Sequence, residues 1–152
     1  MWQLILVMLC IVLQSCNEPM VELGQPLIIK DTETKKIFIP SGELVVKVDT
    51  TINQVDYTLG IKNSLIVFIS TIDGRATGVE GITGKQLSQL KAVSKSSLKK
   101  INGWGYYLSI GNGWFAGFRD AESITNGKRP DWYFRYNFPK ANKDKFKSIS
   151  NG

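Results

Sequence analysis

Alternating aromatic residues on both sides of an Asn-Gly pair constrain the fold of this chain more than any other feature. Asn112-Gly113 separates the segments Trp104–Ile110 and Trp114–Arg119. An Asn-Gly pair between two alternating apolar segments is a strong signal for an antiparallel β-hairpin, because both residues tolerate the backbone of a tight turn. Two further Asn-Gly pairs, at 102–103 and 126–127, predict turns in the same part of the chain.

The register of this hairpin follows from the requirement that one of its faces be the core. A loop of residues 111–113 pairs Ile110 with Trp114, whereas a loop of Asn112-Gly113 alone splits the large apolar residues between both faces. We therefore expect the longer loop, with Gly113 in the left-handed conformation that glycine tolerates. The predicted core face consists of Trp104, Tyr106, Leu108, Ile110, Trp114, Ala116 and Phe118.

Short runs rich in isoleucine and valine predict further strands. These are Leu27–Lys30, Lys36–Ile39, Leu44–Asp49, Val55–Ile61 and Leu65–Ile69, with Trp132–Phe138 nearer the C-terminal end. Leu65–Ile69 is apolar on both faces, as expected of a central strand covered on both sides. Because hairpin turns dominate and no βαβ spacing recurs, the chain predicts an α+β fold, a mostly antiparallel sheet of about five to eight strands with one short helix packed on it.

The helix is expected to begin at Thr83. Thr83 and Gln86 have the spacing of a capping box, in which each side chain accepts the backbone N–H of the other residue. The apolar stripe that follows is Leu87, Leu90 and Val93, with lysines around it. This pattern indicates a short surface helix lying on a sheet.

The N-terminal segment is apolar and carries no charged side chain. Met1–Leu13 is interrupted only by Gln3 and is shorter than the roughly 20 apolar residues of a membrane-spanning helix, but it suits the core of a secretory signal. It ends in Leu13-Gln14-Ser15-Cys16, which resembles the lipobox of bacterial lipoproteins. The resemblance implies that residues 1–15 are removed as a signal peptide and that Cys16 is lipidated, by palmitate among other acyl chains.

This resemblance also implies a location and a division of the chain. Residues 16–26 are expected to be the lipidated cysteine and a spacer, 27–139 the globular domain and 140–152 a polar tail. The domain would be tethered by its lipid to a membrane of the bacterial cell envelope, on a periplasmic or surface face. The membrane is therefore the first predicted partner.

Several kinds of chemistry are excluded by composition. The chain has no histidine, so the commonest general base and metal ligand are both absent. Cys10 leaves with the signal and Cys16 carries the lipid, so no disulfide is expected. The loop Asp73–Glu80 lacks the alternating ligands of an EF-hand, and a solvated connection is favoured over a calcium site. We predict no catalytic residue, no metal site and no cofactor.

The net charge of +6 is concentrated in two basic blocks. Residues 85–100 and 128–152 contain most of the excess lysine and arginine. Such blocks suit nucleic acid, anionic lipid or an acidic protein. Because an exported, lipid-anchored protein rarely meets nucleic acid, we expect no nucleic-acid partner, and lysines that solubilise a helix and a tail are the favoured interpretation.

A set of aromatic and arginine residues lies opposite the predicted core face. Aromatic and arginine side chains together on an open sheet are typical of binding hot spots for a protein or glycan partner. The alternative is that a helix or loop covers this face and makes it a second core layer. The candidate site consists of Tyr107, Phe115, Arg119, Tyr133 and Arg135.

A second resemblance concerns the segment 80–87. Its sequence Glu80-Gly81-Ile82-Thr83-Gly84-Lys85-Gln86-Leu87 is similar to the glycine-led helix entry of small α+β envelope lipoproteins of the outer-membrane assembly and β-lactamase-inhibitor-like type. No functional residue is carried over from it, because Lys85 stands where those entries often have serine or threonine.

These features together predict a non-catalytic, membrane-tethered binding or interaction module. One alternative is a small envelope hydrolase that uses paired carboxylates, such as Asp49 with Asp56, although nothing in the sequence indicates that two carboxylates face each other. Another is an immunity or inhibitor protein that blocks a toxic enzyme.

Overall fold

The computed structural model describes residues 21–27, 35–76, 78–120 and 125–137. Cys16, the predicted signal peptide, most of the predicted strand Leu27–Lys30 and the polar tail lie outside these ranges. The elements are β1 (Lys36–Phe38), β2 (Leu44–Ile52), β3 (Val55–Lys62), β4 (Leu65–Thr71), α1 (Leu87–Ser94), β5 (Lys99–Ile101), β6 (Gly105–Gly111), β7 (Trp114–Phe118) and β8 (Trp132–Tyr136).

The strands form one antiparallel sheet that curves into a half-barrel. Its order is β1-β2-β3-β4-β8-β7-β6-β5, so two meanders, β1 to β4 and β5 to β8, meet where β4 pairs with β8. This confirms the predicted mostly antiparallel sheet with one short helix. β5 was not expected, because two of its three residues are lysines and it carries no apolar alternation.

The sheet buries apolar side chains on both of its faces. The face on which α1 packs, called the helix face below, includes Leu59, Ile69 and Leu108, which cluster with Leu87 and Leu90 of the helix. The opposite face, called the groove face below, carries a second cluster. Its members are Ile39, Val45, Phe68, Tyr107, Phe115, Phe134 and Tyr136. Within β4, Phe68 and Ile69 point to opposite faces and are 1% and 0% exposed, so the prediction of a central strand covered on both sides is confirmed.

The helix begins at Leu87, four residues after the predicted cap, so Thr83 is not the N-cap residue. Gln86 is the N-cap and forms a capping box with Gln89. Gly84 has a φ of +77°, and this left-handed conformation prevents a helix from continuing through it. The hydroxyl of Thr83 instead donates to the carbonyl oxygen of Gly74, at 3.0 Å.

Part of the predicted apolar stripe is also wrong. Leu87 and Leu90 are buried as expected, but Val93 is 66% exposed, because two steps of three residues turn its side chain about 120° around the helix from Leu87. The first turn is held by the loop around the third Asn-Gly pair. There the N–H of Leu87 donates to the carbonyl oxygen of Lys128 at 2.8 Å, and that of Ser88 to Asn126 at 3.0 Å.

The hairpin confirms most of the predicted strand register and corrects the pairing next to the loop. Ser109 pairs with Phe115, as expected, but Trp114 pairs with Gly111 and not with Ile110. The loop is Asn112-Gly113 alone, however, with both residues left-handed at φ +50° and +76°. A bulge between Ser109 and Gly111 absorbs the extra residue and returns the apolar side chains to one face. Gly113 is therefore left-handed as predicted, in a shorter loop.

Trp104 does not belong to the predicted core face. It precedes β6 and packs on the groove face, 5.5 Å from Phe68 between ring centroids. Gly105, the first residue of β6, follows Trp104 and has a φ of +78°. This positive φ interrupts the alternation of sides along an extended chain.

Candidate binding groove

The structure does not bring the five predicted site residues together. Tyr107 and Phe115 lie on the groove face, with ring centroids 5.4 Å apart. Tyr133 belongs to the cluster of the helix face, and the guanidinium of Arg135 lies 5.7 Å above the ring of Trp114 on that side. The predicted single surface is therefore not formed.

The register between β7 and β8 explains this separation. Phe115 pairs with Phe134, and Ala116 pairs with Tyr133, so Tyr133 shares a face with the small Ala116 and not with Phe115. Alternation within each strand predicts which residues share a side of that strand. It does not indicate which side of one strand lies on the same face of the sheet as a given side of a distant strand.

The three predicted aromatic residues are also buried. Tyr107 and Phe115 are each 8% exposed and Tyr133 is 3% exposed, which agrees with the alternative of a second core layer. Burial raises the pKa of both tyrosines, so both phenols stay neutral at physiological pH. Arg119 alone is exposed among the residues predicted on this face, and its guanidinium lies 6.0 Å from the ring of Trp132.

A groove runs along the groove face beside Arg119. Two cavities of about 540 and 740 Å³ both contain Ser70, Gly103 and Trp104 in their walls. A third cavity, of about 440 Å³, shares Ser70 with both. The three cavities share wall residues and therefore adjoin one another, and together we call them the groove. Its side chains used below are Lys47, Asp49, Asp56, Thr58, Phe68, Ser70, Trp104, Arg119, Asp131 and Trp132.

One wall of the groove is aromatic. The half-buried indoles of Trp104 and Trp132 lie edge to face, with ring centroids 6.5 Å apart, and Trp104 also packs against Phe68. Two exposed apolar side chains also line the groove: Phe38 is 64% exposed and Ile72 is 76% exposed. Indole rings present a large apolar area, which suits a ligand with an apolar face.

Glycines make room for these indoles. A Cβ on Gly117 would lie 2.4 Å from Cε2 of Trp132, so the indole of Trp132 lies directly across the backbone of β7. A Cβ on Gly105 would lie 2.4 Å from the carbonyl oxygen of Phe118. The position of the aromatic wall therefore depends on two residues that have no side chain.

The part of the groove formed by β2 and β3 is polar. The hydroxyl of Thr58 donates to Oδ1 of Asp49 at 2.6 Å, and the ammonium of Lys47 pairs with Oδ2 of the same carboxylate. These two contacts, the Lys47 contact first, lower the pKa of Asp49 below its ordinary value. Further along, the hydroxyl of Thr51 donates to Asp56 at 2.6 Å.

A third carboxylate closes the end of the groove near Arg119. Oδ2 of Asp131 accepts the backbone N–H of Arg119 at 2.9 Å, and Oδ1 accepts the ammonium of Lys128 at 3.2 Å. The backbone N–H of Asp131 in turn donates to the carbonyl oxygen of Gly117 at 2.8 Å. Asp131 thus anchors the loop before β8 to the end of β7 and fixes the start of the strand that carries Trp132.

Most residues of the groove were not predicted from the sequence. Of its residues only Arg119 belonged to the predicted site, while Trp104 was assigned to the core face and Trp132 was predicted only as part of a strand. The available signal was Gly105, because a glycine directly after Trp104 interrupts the alternation on which that assignment depended. Nothing in the sequence indicated that β2, β3 and β4 supply the polar side.

Comparison with protein-family models, with curated proteins and with solved structures gave no match for this chain. Within the described ranges, no group of three or more cysteine, aspartate or glutamate side chains could hold a metal ion. No helix in the described part of the chain is long and apolar enough to cross a membrane.

Proposed function

We propose that this protein is a lipoprotein of the bacterial cell envelope, tethered through Cys16, that acts as a non-catalytic binding module. Its ligand site is the groove. The fold is best classed as α+β, since α1 contributes Leu87 and Leu90 to a core cluster.

The observation that carries the proposal is the half-buried pair Trp104 and Trp132 in a depression of the sheet. Indoles contribute most to stability when they are fully covered, and these two are left partly in solvent beside exposed Ile72. Pockets of this size, mostly apolar with a few fixed polar groups, are typical ligand sites.

A hydrolase is the second candidate, because Asp49 and Asp56 line the same cavity of about 440 Å³. A glycosidase needs one carboxyl with a raised pKa as general acid. The contacts of Asp49 with Lys47 and Thr58 lower its pKa, so Asp49 is unsuited to that role. The preference for the binding module therefore rests on the half-buried indoles and not on the carboxylates.

The tether is tested by Cys16→Ser in cells. We expect the variant to lose membrane fractionation and incorporation of labelled fatty acid, because a lipoprotein cysteine is the site of acylation. Unchanged labelling in the variant would contradict the lipoprotein assignment.

The groove is tested on the immobilised mature chain. Soluble envelope extract is separated into glycan, peptide and lipid fractions, and the mass retained from each is measured. We expect wild type and the control Val93→Ala, on the exposed side of the helix, to retain one fraction equally. Trp104→Ala and Arg119→Ala should lose that retention. Equal retention by all four proteins, or none by wild type, would overturn the proposal.

A further inference from the structure

We infer that the ligand of the groove is a neutral oligosaccharide. The inference rests on the proposed function, and it adds the chemical class of the ligand. Three observations support it: the two unlike walls of the groove, the balance of charge within it, and the construction of the sheet edges.

The unlike walls match the two surfaces of a sugar ring. A pyranose presents C–H bonds on one face and hydroxyl groups around its edge. The C–H face packs on the electron-rich face of an indole, which Trp104 and Trp132 supply. The hydroxyl edge needs fixed donors and acceptors. Lys47 and Thr58 line the same cavity as Trp104, and both are held in place by hydrogen bonds to Asp49.

The charge balance favours an uncharged ligand over an anionic one. The whole chain carries a net charge of +6, but the side chains that line the groove carry no positive excess. They include two cations, Lys47 and Arg119, and three carboxylates, Asp49, Asp56 and Asp131. Two of these carboxylates are directly paired, Asp49 with Lys47 and Asp131 with Lys128. An anionic polymer would be attracted by the basic excess elsewhere on the chain and not by the groove.

The sheet edges argue against an extended peptide as the ligand. A peptide that adds a strand needs a long, free edge whose backbone groups are accessible. The two edge strands, β1 and β5, have three residues each and carry Lys36, Lys99 and Lys100. Short, lysine-bearing edges are the usual protection against strand addition.

The experiment is a glycan array of neutral tri- to hexasaccharides with matched anionic glycans, probed with the full mature protein. We expect wild type and Val93→Ala to retain at least one neutral glycan. Trp104→Ala should abolish retention, and Asp49→Asn, which keeps the shape of the side chain, should weaken it about tenfold by loss of a charge-assisted hydrogen bond. Circular dichroism and thermal melting identify any variant that fails to fold, and Arg119→Ala, an exposed change, then replaces Trp104→Ala.

The outcomes separate this inference from the proposed function. Retention of no neutral glycan, of anionic glycans only, or of neutral glycans by wild type and Trp104→Ala alike would overturn the oligosaccharide as ligand. If the peptide or lipid fraction of the envelope extract is nevertheless retained through Trp104, the binding module stands and only its ligand class is wrong. If no fraction is retained, both proposals fail.

Discussion

At the scale of single residues, glycine positions decide where the tryptophans lie. Gly117 leaves the surface of β7 open for the indole of Trp132, and the left-handed Gly105 turns Trp104 away from the side that strand alternation would give it. Both positions are occupied by the one residue that combines no steric bulk with access to positive φ. The position of the aromatic wall therefore depends on the lack of a side chain at Gly105 and Gly117 as well as on the two tryptophans.

Gly117→Ala should displace Trp132. The added Cβ would lie within 2.4 to 2.8 Å of three atoms of the indole, a separation that real contacts do not tolerate. Overpacking of this kind costs about 1–3 kcal/mol of the free energy of unfolding. Urea denaturation followed by tryptophan fluorescence measures both the loss and the new environment of the indole. The matched control is Gly127→Ala, where a Cβ meets nothing closer than 4.0 Å; equal stability of the two variants would contradict the placement of Trp132.

At the scale of elements, the helix shows how a loop competes with a local capping signal. The spacing of Thr83 and Gln86 satisfies a capping box, yet the hydroxyl of Thr83 stabilises the preceding loop and Gln86 caps the helix with Gln89. The backbone of the loop at residues 126–128 accepts two N–H groups of the first turn. A helix of eight residues has little stability of its own, so these contacts determine where it begins.

Gln86→Ala should destabilise the protein by about 1 kcal/mol, because one N-cap partner of the helix is lost. Chemical denaturation measures the free energy of unfolding. Lys85→Ala is the control, since Lys85 precedes the cap and is not part of the capping box. A cost for Lys85→Ala as large as that for Gln86→Ala would show that the cap does not lie at Gln86.

At the scale of the whole molecule, the sheet is stabilised from both sides. The helix and its flanking loops cover one face, and an aromatic cluster centred on Phe134 occupies the other. Phe134 lies 5.3 Å from Phe115 and 6.4 Å from Tyr107 and Phe68 between ring centroids. The buried part of the groove face is therefore a second core layer. The groove lies over the rest of this face, where Trp104, Trp132 and Arg119 line one cavity and Asp49 and Thr58 line another.

Phe115→Ala should therefore cost about 3–5 kcal/mol, as truncation of a buried phenylalanine does. Phe115 packs on Tyr107 and Phe134, and its removal leaves a cavity that neighbouring strands cannot close. The midpoint of urea denaturation measures the loss. Val93→Ala, at an exposed apolar position, should change stability by less than about 0.5 kcal/mol. A midpoint for Phe115→Ala equal to that of wild type would mean that the second layer contributes nothing to stability.

Features that depend on neighbouring residues could be predicted from the amino-acid sequence. Alternation and Asn-Gly turns were sufficient for the hairpin and its strand register, and the unbroken apolar run was sufficient for the central strand β4. These features are local, because a turn and the residues beside it restrict which side chains share a face. Even here the loop was one residue shorter than expected, because a bulge offers a second way to keep the same register.

The location of the candidate site depends on contacts between strands that are distant in the sequence. The groove combines β2, β3 and β4 with the ends of β6, β7 and β8, and it exists because β8 inserts between β4 and β7. That pairing puts Tyr133 on the helix face and Trp132 on the groove face. Contacts between distant segments set the register of such strands, and the periodicity of any one strand is equally compatible with either face. Residues that alternate correctly within their strands were therefore assigned to the wrong side of the molecule.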